Sequence, residues 1–182
     1  MIVLNFFGAP GVGKSTGAAY IFAKLKMAGV NAELVTEFAK DKVWEESQQP
    51  FKNQAYIFGE QYFRLSRCKY KVDVIVTDSP LALSVLYNNN YELGESFNET
   101  VINVFNSFEN KNYFVCRTKP YNPVGRLHSE SESDALVSPL IDVLDRYGID
   151  YEFINGDIND YDSVVESVLN YLKTQPLTTE EA

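Results

Sequence analysis

Cysteine and histidine are scarce in this chain of 182 residues, which has only Cys68, Cys116 and His128. Two thiols cannot build a disulfide framework, and no Cys/His cluster offers the ligands of a structural zinc site. Long apolar runs are also missing. The longest, such as residues 1–7, fall far short of the ~20 residues that a membrane span needs. No charged-then-apolar leader with a cleavage site opens the sequence, so the expectation is no export and a cytoplasmic location. Internal repeats and dividing linkers are absent, and 45% hydrophobic residues can fill one core.

Positive charge is in short supply, and unevenly so. Residues 1–128 carry 14 Lys and Arg against 12 Asp and Glu, a net of +2, whereas residues 129–182 carry 2 against 13, a net of −11. The overall −9 argues against broad, non-specific nucleic-acid binding but leaves room for a local basic surface on the first two-thirds.

The remaining pattern alternates strand with helix. "IVLNFF" reads as a strand buried on both faces. A helix from Ser15 carries Ala18, Ile21, Phe22 and Leu25 on one face and stops at Gly29. Further strands are expected at 31–37, 72–78, 112–118 and 150–155. After a polar segment with Trp44, a long helix is expected over roughly 51–70, with Phe51, Ala55, Phe58, Tyr62 and Leu65 facing the core. Ser79-Pro80 and Ser138-Pro139 each read as a cap followed by Pro in a first helical turn. Residues around 96–109 read as a helix, "NNNYELGES" as a loop, and the last helix carries Tyr161, Val164, Val165, Val168 and Leu172. Asn5, polar within the first strand, is expected to be a satisfied core residue. The fold class is thus α/β, a three-layer sandwich on a five-stranded parallel sheet. Residues 1–173 form one domain with a flexible tail at 174–182, and the aperiodic stretch at about 119–137 reads as a lid.

"GAPGVGKST" follows the first strand and opens the first helix. Gly8, Gly13, Lys14 and Ser15 satisfy G-x-x-x-x-G-K-[ST], and the strand before and helix after are the context this phosphate cradle requires. The backbone of Ala9, Pro10, Gly11, Val12, Gly13, Lys14, Ser15 and Thr16 is expected to surround the triphosphate of ATP or a similar nucleotide, with every residue but Pro10 offering an N–H. Lys14 is expected to reach the β/γ oxygens and Ser15 to ligate Mg²⁺. Asp78, closing "VIVTD", is the acid expected to hold the metal, the alternative being a cap for the helix after it. Glu37 ends the second strand on the same carboxyl edge and is the candidate base for an acceptor hydroxyl; otherwise it is a solvated loop residue. Arg126 and Arg117 are candidates to neutralise phosphate charge, and His128 reads as a surface residue.

"FFGAPGVGKST", "VTE", "VTDSP" and the Gly-Arg of the lid stand in the order seen in small P-loop kinases of nucleosides and nucleotides. The resemblance covers about residues 1–172 and implies sheet order 2-3-1-4-5, ATP and Mg²⁺, with Glu37 where the deoxynucleoside kinases have their base. Their Glu-Pro and Asp/Glu-Arg-Ser motifs are replaced here by Glu37-Phe38 and Asp78-Ser79-Pro80, and "PYNPVGR" looks closer to the lid of nicotinamide riboside kinases. In overall look, "LNFFGAPGVGKST", "GVNAELVTEFAKDKVWEE" and "VIVTDSPL" resemble bacteriophage P-loop kinases. That group includes the 5-hydroxymethyluridine DNA kinases of thymine hypermodification, so the resemblance implies DNA containing 5-hydroxymethyluracil as partner and acceptor, in the host cytoplasm. A free nucleoside or nucleoside monophosphate is the alternative acceptor. An NTP-binding switch or ATPase acting on a partner is the alternative of another class.

Two places are expected to hold the acceptor. Phe38 and Trp44 follow Glu37, and Tyr56, Phe63, Arg64 and Arg67 lie off the core stripe of the long helix, where aromatics beside cations suit a stacked base near a phosphate backbone. Either set can instead be core residues and a solvated basic face. By the same resemblance, Asn155, Gly156 and Asp157 after the fifth strand are candidates for touching the nucleotide base.

Overall fold

Ile2–Phe7 forms strand β1, and all six residues are buried because the strand lies at the middle of the sheet. A computed structural model describes residues 1–88 and 93–174 of the chain. Strands β2 (Ala32–Val35), β3 (Val74–Thr77), β4 (Glu109–Cys116) and β5 (Glu152–Asn155) complete a five-stranded, all-parallel sheet in the order β2-β3-β1-β4-β5. This is the expected 2-3-1-4-5 arrangement.

Alternate β1 side chains face opposite layers, as the period of a strand dictates. Ile2, Leu4 and Phe6 pack with Ala18, Ile21 and Leu25 of helix α1 (Lys14–Met27) and with Tyr161, Val164 and Val168 of helix α8 (Ile158–Thr174). Val3 and Phe7 pack on the other side with residues of α3 (Gln54–Ser66), α5 (Gly94–Asn106) and α7 (Val137–Arg146). Burial of each such aliphatic side chain stabilises the sandwich by about 1.5–3 kcal/mol. Asn5 sits among them almost without exposure, its amide donating to Asn110 Oδ1 at 2.8 Å and Asn112 Oδ1 at 3.0 Å. It is the satisfied core residue expected.

The register sets up one functional edge. Thr77 of β3 pairs with Asn5 of β1 on one side and Val35 of β2 on the other. The chain therefore leaves β2 at Thr36-Glu37, β3 at Asp78 and β1 at Gly8, all at the carboxyl ends of neighbouring strands, where open α/β sheets bind ligands.

Several local elements depart from the sequence pattern. Helix α2 (Phe38–Trp44) stands where the sequence pattern shows only a polar segment, because seven residues with one buried side chain, Phe38, are too few to show a helical period. The long helix starts later than residue 51. Pro50 begins a 3₁₀ turn over Gln49–Lys52, and Asn53 then caps α3 by accepting from the Tyr56 N–H at 3.0 Å. Its buried face is Gln54, Phe58, Gln61 and Leu65, while Tyr62 is turned out to solvent. Two glutamines on a buried face hid the stripe.

The Ser-Pro pairs also act differently. After Ser79-Pro80 only α4 (Leu83–Leu86) is helical, and α7 begins at Val137, so Ser138 and Pro139 sit inside its first turn. The working cap is Ser129, whose reciprocal pairing with Glu132 opens helix α6 (Glu130–Ala135) within the stretch read as aperiodic. Helix α8 runs to Thr174; the rest of the expected tail, like residues 89–92 of the expected loop, lies outside the described residues.

Candidate functional site

The turn from β1 into α1 is made by glycines at positions no other residue suits. Gly8 (φ +131°) would carry a Cβ 2.7 Å from the Val115 carbonyl oxygen, and Gly13 caps α1 at φ +110°. Ala9 and Val12 are buried, so they contribute through their backbone. Pro10, Gly11, Gly13, Lys14, Ser15 and Thr16 border a cavity of about 390 Å³. The Lys14 ammonium is held over the turn by the carbonyls of Gly8 (2.7 Å) and Ala9 (2.9 Å). Its desolvation lowers its pKa, an effect opposed by the carboxylates of Glu37 and Asp78.

Glu37 and Asp78 share this cavity with Lys14. Asp78 is buried at 4% exposure, and its Oδ1 accepts the Glu37 backbone N–H at 3.0 Å. Asp78 thus fixes the backbone that carries Glu37 rather than capping a helix. Gln61 of α3 completes the hold, accepting the Phe38 N–H at 2.9 Å and donating to the Thr36 carbonyl at 3.4 Å. Burial, reinforced by Asp78 and opposed by Lys14, raises the pKa of Glu37 above its ordinary value.

Mg²⁺ fits this donor set. Asp78 offers a second carboxylate oxygen, and the Ser15 hydroxyl borders the same cavity. Among the described residues no group of three or more His, Cys, Asp or Glu can hold a metal alone. An ion held by one or two side chains and the substrate's phosphates is the usual arrangement for Mg²⁺.

Segment 117–135 covers the turn. Tyr121 lies against Gly11, with the guanidinium carbons of Arg117 and Arg126 5.1 Å and 5.7 Å from its ring centre. Its hydroxyl donates to the His128 carbonyl. Arg126 borders the cavity and donates through Nε to Asn122 O at 2.7 Å, so it stands with Lys14, Glu37 and Asp78. Arg117 does not. Its guanidinium pairs with Glu130 (3.1 Å) and Asp134 (2.8 Å) and donates to Ser133 Oγ (2.9 Å), while Ser133 donates to the Pro10 carbonyl at 2.6 Å. Arg117 is a strut joining α6 to the phosphate turn.

His128 is half-buried in the cavity wall, its ring centre 6.5 Å from that of Tyr87. Asn155, Gly156 and Asp157 are not part of the cavity wall. Gly156 packs behind the turn with its N–H on Cys116 O at 3.0 Å, and the Asp157 carboxylate accepts the Asp160 N–H at 3.1 Å at the start of α8.

The proposed acceptor residues also lie elsewhere. Phe38 is buried beneath α2, edge-on to Tyr56, with Lys42 and Arg64 over its ring. Arg64 pairs with Asp41 at 2.5 Å, and Phe63 and Arg67 face solvent. Trp44 is largely exposed and does not line the cavity, but its ring lies against Gly125, which does.

Sequence reasoning missed the second half of the cavity. Beyond Glu37 it is walled by Ala39, Lys40 and Val43 of α2, Phe51 of the 3₁₀ turn, Gln54, Ile57 and Gln61 of α3, and Leu83, Ser84 and Tyr87 around α4. Burial, with Glu37 nearby, pushes the Tyr87 hydroxyl up to about 12, so it stays a neutral hydrogen-bonding group. The one available signal was the pair of glutamines spaced seven apart on an otherwise apolar helix face.

Among the described residues no helix is long and apolar enough to cross a membrane. No curated protein matches the chain. A family model described as an AAA domain matches residues 3–160, a span from β1 through β5 that includes the glycine turn, Glu37, Asp78 and Arg126. With its parallel sheet and P-loop, this chain belongs to the AAA domain family of nucleotide-binding proteins.

Proposed function

We propose that the protein is a Mg²⁺-dependent kinase that transfers the γ-phosphate of ATP to a hydroxyl group. The observation that carries this reading is the shape of the cavity. It does not end at the phosphate turn but continues past Glu37 into a chamber with apolar walls at Val43, Phe51, Ile57 and Leu83. A hydrolase needs room there only for water. A kinase needs room for an acceptor.

The residues divide the work accordingly. The turn from Gly8 to Thr16 holds the triphosphate, with Lys14 on its β/γ oxygens. Ser15 and Asp78 hold Mg²⁺, which neutralises phosphate charge when bound. Glu37 takes the proton from the acceptor hydroxyl; that oxygen forms its bond to the γ-phosphorus as the bond to the bridging oxygen of ADP breaks. A base with a raised pKa suits this step, because proton transfer is most effective when the pKa lies nearer working pH. Arg126 lies over the site to offset charge on the transferring group and to exclude water.

The favoured acceptor is the 5-hydroxymethyl group of 5-hydroxymethyluracil in phage DNA, supported by the sequence resemblance of "ELVTEFAKD" and "TDSPL". The test is γ-labelled ATP offered with duplex DNA containing that base, matched thymine DNA, and a pool of nucleosides and monophosphates. Label confined to the hydroxymethylated DNA is the expected result. Label in a mononucleotide alone reassigns the acceptor, and label in inorganic phosphate alone makes the protein an ATPase.

A further inference from the structure

Resting on the kinase reading, we propose that the acceptor enters carrying a phosphate of its own, as a nucleotide unit rather than a bare nucleoside, and that Lys40 receives it. Lys40 lies in the first turn of α2, on the wall of the cavity with Ala39 and Val43. The two charged residues that follow it turn elsewhere: Asp41 pairs with Arg64 at 2.5 Å, and Lys42 pairs with Glu45 at 2.7 Å. Among the described residues no carboxylate lies within ion-pair distance of Lys40.

Its placement is costly by two physical measures. A cation in the first turn of a helix opposes the helix dipole, and a partly buried lysine on a cavity wall gives up some hydration with no ion pair to replace it. The charge balance points the same way. In a chain of net −9, the cavity carries Lys14, Lys40 and Arg126 against Glu37 and Asp78. Lys14 and Arg126 stand over the phosphate turn and serve the donor. Lys40 follows Glu37 by three residues and shares the cavity wall with Val43 of the apolar chamber, and its charge acts on both Glu37 and Lys14. An anion on the acceptor, close to the reacting hydroxyl, supplies the missing partner. A nucleotide phosphate has that chemistry, whether it is a 5′-monophosphate or part of a strand.

The test is equilibrium binding to the ADP-saturated protein of three probes: 5-hydroxymethyl-2′-deoxyuridine, its 5′-monophosphate, and a trinucleotide with the same base at its centre. At least one phosphate-bearing probe is expected to bind about tenfold tighter than the nucleoside, the scale of one charge-assisted contact. Lys40→Gln is expected to erase that preference, Lys40→Arg to keep it, and ADP affinity to be unchanged in both. The monophosphate and the trinucleotide arms tell a free nucleotide from a strand. Equal affinity for all three probes, or a preference that survives Lys40→Gln, overturns the proposal. Loss of ADP affinity in Lys40→Gln also overturns it, by placing Lys40 with the donor. Transfer of γ-phosphate to the same probes is measured separately: its absence counts against the kinase reading, while the affinity ratio still decides the role of Lys40.

Discussion

Glu37 is placed where ionisation is disfavoured, and that has consequences for rate and stability in opposite directions. Burial raises its pKa. Its active carboxylate therefore forms only above a pH higher than the 4.5 of an ordinary glutamate, so transfer is expected to rise along an acidic limb displaced upward. Glu37→Gln is expected to remove that limb and to lower turnover by about 10²–10⁴-fold while sparing ATP binding. A group whose folded pKa is raised stabilises the fold in its protonated form. That contribution is full below the ordinary carboxylate range and is lost as pH rises through the raised value. The Gln variant should accordingly melt higher than wild type at pH 8, by on the order of 2 °C, and equally at pH 4. Thermal scans at the two pH values check this. Arg126 makes a different prediction, because the proposed kinase has it act on charge that develops during transfer: Arg126→Ala should lower kcat by about 10²-fold with little change in ATP affinity.

At the scale of elements, the site is held by short segments that cross between layers. Gln61 reaches from α3 to both sides of Glu37 through Phe38 N–H and Thr36 O. Gln61→Leu leaves a buried N–H unsatisfied, and is expected to cost about 1–3 kcal/mol in urea unfolding. It should also lower kcat more than it raises KM for ATP, since Glu37 loses its alignment while the phosphate turn does not.

These crossing elements were the least legible from sequence. Strands β1 and β3 announced themselves as continuous apolar runs, and the glycine turn between strand and helix located Lys14, Asp78 and Glu37. Helix α2 has one buried residue, α6 is six residues long, and the cavity face of α3 is written in glutamines, so none shows a strong period. Arg117 and the aromatics Phe38, Trp44 and Tyr56 carry the right chemistry for a site, but partners distant in sequence direct them elsewhere, and Phe63 is turned to solvent. Arg117 is drawn to Glu130 and Asp134, for example, which no local pattern reveals.

For the molecule as a whole, the phosphate turn belongs to a sheet edge that exists only when β1, β2 and β3 are paired, so nucleotide binding and folding are linked. ATP with Mg²⁺ at a hundred times its Kd should stabilise the protein by about 2.7 kcal/mol. Lys14→Ala should lose most of that gain, as read by the ligand-dependent shift in Tm. The central claim is that the γ-phosphate leaves the cavity on an acceptor hydroxyl and not on water. It is tested most directly by following γ-labelled ATP with wild type and Glu37→Gln, with hydroxymethylated DNA, nucleosides and monophosphates present. The account predicts label in an organic phosphoester, acceptor-dependent and lost in Glu37→Gln. Label released only as inorganic phosphate, at a rate indifferent to every acceptor, would contradict it.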